Sequence, residues 1–301
     1  MAGFWLDIEK GLVSDVLFAG LVASSAVVVG WWLRRRRVRR FFGVVPGREV
    51  IRVVLPGIEV LKSATLGTAP VREGFSGVAI NEVEYRYALA LAGAVESRPL
   101  ARALFAAGVL DQVTSRPVVC RIEPGPSVSE FRAEVDAGRE QQARDRLRQD
   151  LGSECVVLVG GPVYNVLTHL AQSEPGSPAR TGFLRLEESG RPVRGIEITE
   201  PGGRVERFLR SEPDGDRWGE EYLALESFRW HRTQVFLCAG TCTAGTAAAV
   251  RILADWRTLQ RRFGGEPFTL VYRLPIRDAS DREREPDLER VQPCYVSPRR
   301  W

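Results

Sequence analysis

The sequence predicts an α/β protein in which one N-terminal transmembrane helix precedes a Rossmann-like domain. This domain is expected to contain a mostly parallel sheet with helices on both faces. Two observations carry the prediction: an uncharged run of 18 residues lies directly before an arginine cluster, and five later apolar runs alternate with helix-like stretches. A third observation, a region of short β-type runs divided by Gly and Pro at about residues 182–228, predicts an antiparallel β-meander inserted into the same domain.

Composition is that of a globular protein. The chain has 301 residues, of which 44% are hydrophobic and 27% charged. Its net charge of +4 is exceeded by the six arginines between Arg34 and Arg40, so the rest is close to neutral and specific nucleic-acid binding is not expected. The five cysteines are odd in number and lie mostly in apolar runs, which is typical of reduced, buried thiols.

The first predicted element is a transmembrane helix at Val16–Leu33 (VLFAGLVASSAVVVGWWL). As a helix it would be about 27 Å long, close to the ~30 Å hydrocarbon core of a bilayer. The arginines that follow predict a cytoplasmic C-terminal side and contact between Arg34–Arg40 and anionic lipid headgroups. A cleaved signal peptide is the disfavoured alternative, because the leading segment is acidic.

These features predict a single-pass protein of the cell membrane with four parts. Residues 1–15 would lie outside, 16–33 would span the membrane, 34–49 would form a basic juxtamembrane linker, and 50–301 would form the cytosolic domain. The five strands of that domain are predicted at Val50–Pro56, Pro117–Pro124, Glu154–Gly161, Gln234–Gly240 and Phe268–Leu274. Helices are predicted at Asn81–Ser97, which begins with a capping Asn, and at Ser129–Gly152.

Two loops at the carboxyl ends of predicted strands have a composition suited to ligand binding. In the first loop, Gly160 and Gly161 end the third strand and allow close approach of the backbone to a ligand, while Asn165 offers a hydrogen-bonding amide. A tight turn explains the same residues equally well.

The second loop, AGTCTAGT, joins the fourth strand to a helix. It offers glycines and hydroxyls at a helix N-terminus, which favours phosphate or carboxylate. It lacks the lysine of GxxxxGK[ST] and the middle glycine of GxGxxG, so neither nucleotide-binding motif is present. The predicted ligand-binding residues of this loop are Gly240, Thr241, Thr243, Gly245 and Thr246.

Other candidate groups are isolated. No metal site and no cofactor are predicted, because the chain has only two histidines, His169 and His231, and because Cys238 and Cys242 have no obvious partner ligands. Cys242 at a helix start could have a lowered pKa, although a buried structural thiol is the better interpretation. For an enzyme, the available acids are Glu82, Glu84 and Glu123.

No motif specific to one family is present. The layout of one membrane helix and a Rossmann-like domain resembles bacterial membrane-anchored sensor or effector proteins, which implies binding of a nucleotide-like or phosphorylated small molecule and signalling to the membrane. We also expect a homo-oligomer. Two alternatives stay open: a membrane-anchored hydrolase or nucleosidase acting on such a ligand, and a membrane scaffold for protein partners.

Overall fold

A mixed sheet of seven strands forms the centre of the protein. The computed structural model describes residues 2–44, 49–56, 58–59, 78–79, 81–96, 118–152, 155–188 and 191–298. The strands of this sheet are β1 (Val50–Leu55), β4 (Val119–Pro124), β5 (Cys155–Val159), β9 (Gly219–Trp230), β10 (Thr233–Gly240), β11 (Phe268–Ile276) and β12 (Gln292–Ser297). Their order across the sheet is β12–β11–β9–β10–β5–β1–β4. All five predicted strands are therefore present, within one to two residues of the expected bounds.

The prediction of a mostly parallel sheet is wrong. Strands β4, β1, β5 and β10 are parallel, but β9 pairs antiparallel with both β10 and β11, and β12 pairs antiparallel with β11. For β9 the reason is its short connection to β10. Only His231 and Arg232 join the two strands, and so short a link permits only antiparallel pairing. Most of β9 falls within the predicted meander, whereas in the structure it is a central strand of the large sheet.

A smaller sheet packs against β9, β11 and β12 of the large one. It contains β6 (Thr181–Glu188), β7 (Arg191–Thr199) and β8 (Val205–Leu209), paired antiparallel in that order. We call it the cover sheet. The predicted meander is thus real but ends at residue 209. Two short strands, β2 (Ile58–Glu59) and β3 (Val78–Ala79), pair separately.

Helices cover both faces of the large sheet. On one face, α2 (Glu82–Val95), α6 (Thr243–Ala254) and α7 (Trp256–Phe263) bury their apolar sides in one core cluster. On the other face, α3 (Val128–Asp136), α4 (Glu140–Leu151) and α5 (Val166–Ser173) pack on a second cluster. Asn81 caps α2 as expected, because its side chain accepts hydrogen bonds from the Val83 and Glu84 amides.

The structure does not support the prediction of a transmembrane helix. Residues 16–33 belong to a longer helix, α1 (Ala2–Phe42), and in the part of the chain that is described no helix has both the length and the apolar character needed to span a membrane. The C-terminal end of α1 packs on the domain instead. Phe41 and Phe42, expected in a linker, are fully buried against Phe236 and Trp256.

The arginines of α1 also contact the domain, where contact with lipid headgroups had been predicted. Arg35 and Arg39 both pair with the buried carboxylate of Glu49, and Arg34 donates to the Ala94 carbonyl at 3.1 Å. Further towards the start of the helix, Phe18 and Leu21 are exposed. Residues 45–48 of the predicted linker lie outside the described residues.

Candidate functional site

The carboxyl ends of β1, β5 and β10 border a cavity of about 480 Å³. In the parallel half of the sheet, β4 lies on one side of β1 and β5 lies on the other. The direction in which successive strands are added to the sheet therefore changes between β1 and β5. Such a point at the carboxyl edge is where open α/β sheets bind ligands. The two predicted loops meet there, and six of the eight predicted residues line the cavity: Gly160, Gly161, Gly240, Thr241, Thr243 and Thr246.

Gly160 and Gly161 have different reasons to be glycine. Gly160 has a positive φ of 93°, and a Cβ there would lie 2.7 Å from the Pro56 side chain, so the position requires glycine for the turn itself. At Gly161 a Cβ would meet Phe183 at an ordinary 3.8 Å. The local fold therefore requires a glycine at Gly160 but not at Gly161.

Asn165 is buried and lies outside the cavity lining. Its Oδ1 accepts hydrogen bonds from the Leu167 and Thr168 amides and caps α5, while its Nδ2 donates to the carbonyls of Val54 and Val159. Both donor hydrogens are used within the protein. The amide thus joins the ends of β1 and β5, and the geometry gives it no contact with a ligand.

The loop after β10 is held in place by its own polar groups. Thr246 Oγ1 accepts a hydrogen bond from the Gly240 amide and donates to the Cys242 carbonyl. Thr241 Oγ1 donates to the buried carboxylate of Glu221 and accepts from the Tyr222 amide. Among the three predicted hydroxyls, only that of Thr243 has no hydrogen bond to a residue that the structure describes, and it lines the cavity.

Glycines 240 and 245 allow α6 to approach β10 closely. A Cβ on Gly240 would lie 2.5 Å from the Thr246 amide nitrogen, and one on Gly245 would lie 3.2 Å from the Tyr222 carbonyl oxygen. Gly245 does not line the cavity. Cys242 caps α6 through its Sγ, and burial, together with nearby Glu221, raises the pKa of Cys242 to about 12, so a reactive thiolate is excluded.

Four arginines that the sequence analysis did not single out also line the cavity. Three form a row across the cover sheet: Arg185 lies opposite Arg194 in the β6–β7 pairing, and the Arg210 amide donates to the Arg194 carbonyl. The fourth, Arg282, comes from the 3₁₀ helix at Ala279–Glu283. We call Arg185, Arg194 and Arg210 the arginine row.

The arginines differ in how they are paired. Arg210 and Arg282 form ion pairs with Glu212, and Arg282 also pairs with Glu221. Arg185 and Arg194 form no ion pair and no side-chain hydrogen bond with any residue of the described ranges. Both side chains are exposed, and like charges directly opposite each other on neighbouring strands are mildly destabilising, so an anion between the two guanidinium groups would be favourable.

Glu84 is the one buried carboxylate of the cavity lining, with 7% of its surface exposed. Burial raises the pKa of Glu84 to about 7. The other two candidate acids lie elsewhere. Glu82 is exposed and paired with Arg86, and Glu123 on β4 pairs with Arg52 and Arg121.

The histidines do not take part in the cavity. His169 lies on α5 beside Phe131, and burial, followed by the charge of Arg144, lowers its pKa. His231 occupies the turn between β9 and β10 with a positive φ of 51°. No cluster of three or more metal-ligating side chains is found among the residues with described positions.

Comparison with known proteins gives no match: no protein-family model, no curated protein and no solved structure is significantly similar to this chain. Function is therefore argued from the cavity alone.

Proposed function

We propose that the protein binds a small phosphorylated molecule, nucleotides included, in the cavity at the carboxyl ends of β1, β5 and β10. The observation that carries this proposal is the arginine row, in which Arg185 and Arg194 face the same space without a carboxylate partner in the described chain. Guanidinium groups bind phosphate oxygens through paired, charge-assisted hydrogen bonds. A phosphate between them would remove the repulsion of the two like charges.

The remaining lining supports the same class of ligand. The N-terminus of α6 and the Thr243 hydroxyl lie at the cavity, and a helix N-terminus favours negative charge. The lining has four arginines and two acids, Glu84 and Glu283, and Arg210 and Arg282 are paired with Glu212 and Glu221 outside it, so the unpaired positive charge is that of Arg185 and Arg194. The volume of about 480 Å³ lies within the range of small-molecule pockets.

Thermal unfolding of the full chain in the presence of phosphorylated compounds tests this proposal. The panel consists of inorganic phosphate, pyrophosphate, sugar phosphates and nucleoside mono- and triphosphates. We expect at least one compound to raise the unfolding temperature, and Arg194→Ala to weaken its binding about tenfold or more, as expected for loss of a charge-assisted hydrogen bond.

Arg207→Ala is the matched control. Arg207 lies on the same sheet but opposite Glu197, which alternates with the buried Ile196 and Ile198 and therefore faces outward. Equal loss of binding in both variants would point to general charge attraction and contradict the proposal. So would the absence of stabilisation by every compound of the panel.

An enzyme acting on such a ligand is the second candidate, and the position of Glu84 favours it. Among the three candidate acids only Glu84 reaches the cavity, and a carboxyl group with a pKa near 7 is suited to general acid–base catalysis. Hydrolysis of a bound compound that is lost in Glu84→Gln, even at saturating concentrations of the compound, would establish this activity. Unchanged turnover in Glu84→Gln would exclude this residue as the catalyst.

A further inference from the structure

We infer that the ligand carries, besides its phosphate, a hydroxyl or amino group that donates a hydrogen bond to Glu84. This inference rests on the proposed function and narrows it to phosphorylated sugars, amino alcohols or compounds that contain them. It starts from a carboxylate that has no partner of its own.

Glu84 lies in the first turn of α2, where it is more than nine-tenths buried and lines the cavity. Its carboxylate makes no hydrogen bond and no ion pair with any residue that the structure describes. An ordinary first-turn glutamate is solvated or bonds back to the backbone of the capping residue. Glu84 makes no such bond to a described residue, and its carboxylate oxygens are not among the fully enclosed polar atoms, so they are open to the cavity.

The cations of the cavity do not supply the missing partner. Arg282 is paired with Glu212 and Glu221, Arg210 is paired with Glu212, and Arg185 and Arg194 project from the cover sheet. The partner that the cavity leaves room for is thus part of the ligand. A hydroxyl or amino group can donate a hydrogen bond to the ionised carboxylate, whereas a second phosphate beside it would be repelled.

The cavity accordingly has two chemically different sides. Arginine side chains from the cover sheet form the anion-binding side, and α2 contributes a single hydrogen-bond acceptor on the other. A ligand that satisfies both must place a phosphate and a donor group on one small framework. Inorganic phosphate satisfies only the first.

The test compares three probes on the full chain: inorganic phosphate, ribose 5-phosphate for the hydroxyl group and O-phosphoethanolamine for the amino group. For the wild-type protein we expect at least one organic probe to bind about tenfold or more tightly than inorganic phosphate, as for a hydrogen bond to a charged group. Glu84→Met should remove that advantage and leave the affinity for inorganic phosphate unchanged within about twofold.

Glu84→Gln is the second variant, which keeps the size and polarity of the side chain in case the methionine variant does not fold. It should change the affinities in the same direction, by a smaller factor. If the Glu84 variants leave the organic probes unaffected, or change all three probes equally, the inference is overturned while the proposed phosphate site stands. If no probe binds the wild-type protein, the phosphate site itself is overturned, and the inference with it.

Discussion

At the residue scale, Thr243 and Thr246 lie one helical turn apart at the start of α6 and differ in what their hydroxyls do. Thr246 is buried and bridges the Gly240 amide and the Cys242 carbonyl, so it shapes the loop. Thr243 lines the cavity, and its hydroxyl has no hydrogen bond to any described residue. Of these two threonines, Thr246 thus has a structural role, whereas the hydroxyl of Thr243 is available to bind a ligand.

Valine substitutions should separate these roles. We expect Thr246→Val to lower the free energy of unfolding by about 1–3 kcal/mol, because it leaves the Gly240 amide without its acceptor. Thr243→Val should leave stability nearly unchanged but weaken, several-fold, the binding of the phosphorylated compound that stabilises the wild-type protein best. Urea unfolding and ligand titration of both variants check this pair, and a stability loss confined to Thr243→Val would contradict it.

At the scale of elements, the cover sheet depends on one buried carboxylate. Glu226 of β9 accepts hydrogen bonds from the Arg180 and Thr181 amides, where β6 begins, and from the Thr269 hydroxyl of β11. Burial raises the pKa of Glu226, and these hydrogen bonds oppose the shift. Since β6 then leads to Arg185, Glu226 fixes the start of the strand that brings the arginine row over the cavity.

Glu226→Gln should therefore loosen the cover sheet. The substitution replaces one acceptor oxygen by a donor amide that faces other donors, and we expect a loss of about 2–3 kcal/mol in the free energy of unfolding. Amide hydrogen exchange should become faster in β6. Glu197→Gln, which affects the exposed pair with Arg207 in the same sheet, is the control and should change exchange little. Equal protection of β6 in both variants would contradict this role of Glu226.

At the scale of the whole molecule, α1 and the α/β domain form one packed unit through the end of the helix. Val38, Phe41 and Phe42 belong to the same buried cluster as Phe236, and the carboxylate of Glu49 lies between Arg35 and Arg39. Arg34, Arg35 and Arg39 are thus part of this attachment.

Removing the Glu49 charge should weaken this attachment. We expect Glu49→Gln to lower the free energy of unfolding by about 3 kcal/mol, because the buried Arg35 loses the charge that compensates its own. Hydrogen exchange around residues 31–44 should increase. The control is Glu82→Gln, which affects an exposed pair with Arg86 and should change stability little. A change no larger than that of the control would show that apolar packing alone holds the helix.

The sequence by itself determined the five strands that point in one direction, the helix caps at Asn81 and the two glycine loops at the cavity. These features depend on local patterns: apolar runs, capping residues and glycine at strand ends. It also located a helix at residues 16–33, but hydropathy cannot distinguish an arginine that faces lipid headgroups from one that pairs with Glu49, since that partner is set by tertiary packing.

Only the tertiary structure decided which residues of the loops face a ligand. The side chains of Asn165 and Thr246 make internal hydrogen bonds. Gly160 is required by its positive φ and the Pro56 side chain, and Gly240 by the backbone of α6, which composition does not reveal. The arginine row could not be recognised in the sequence, because Arg185, Arg194 and Arg210 lie in separate β-type runs with ordinary charge. Strand register, a non-local property, is what places Arg185 opposite Arg194 and turns scattered charges into one candidate anion site.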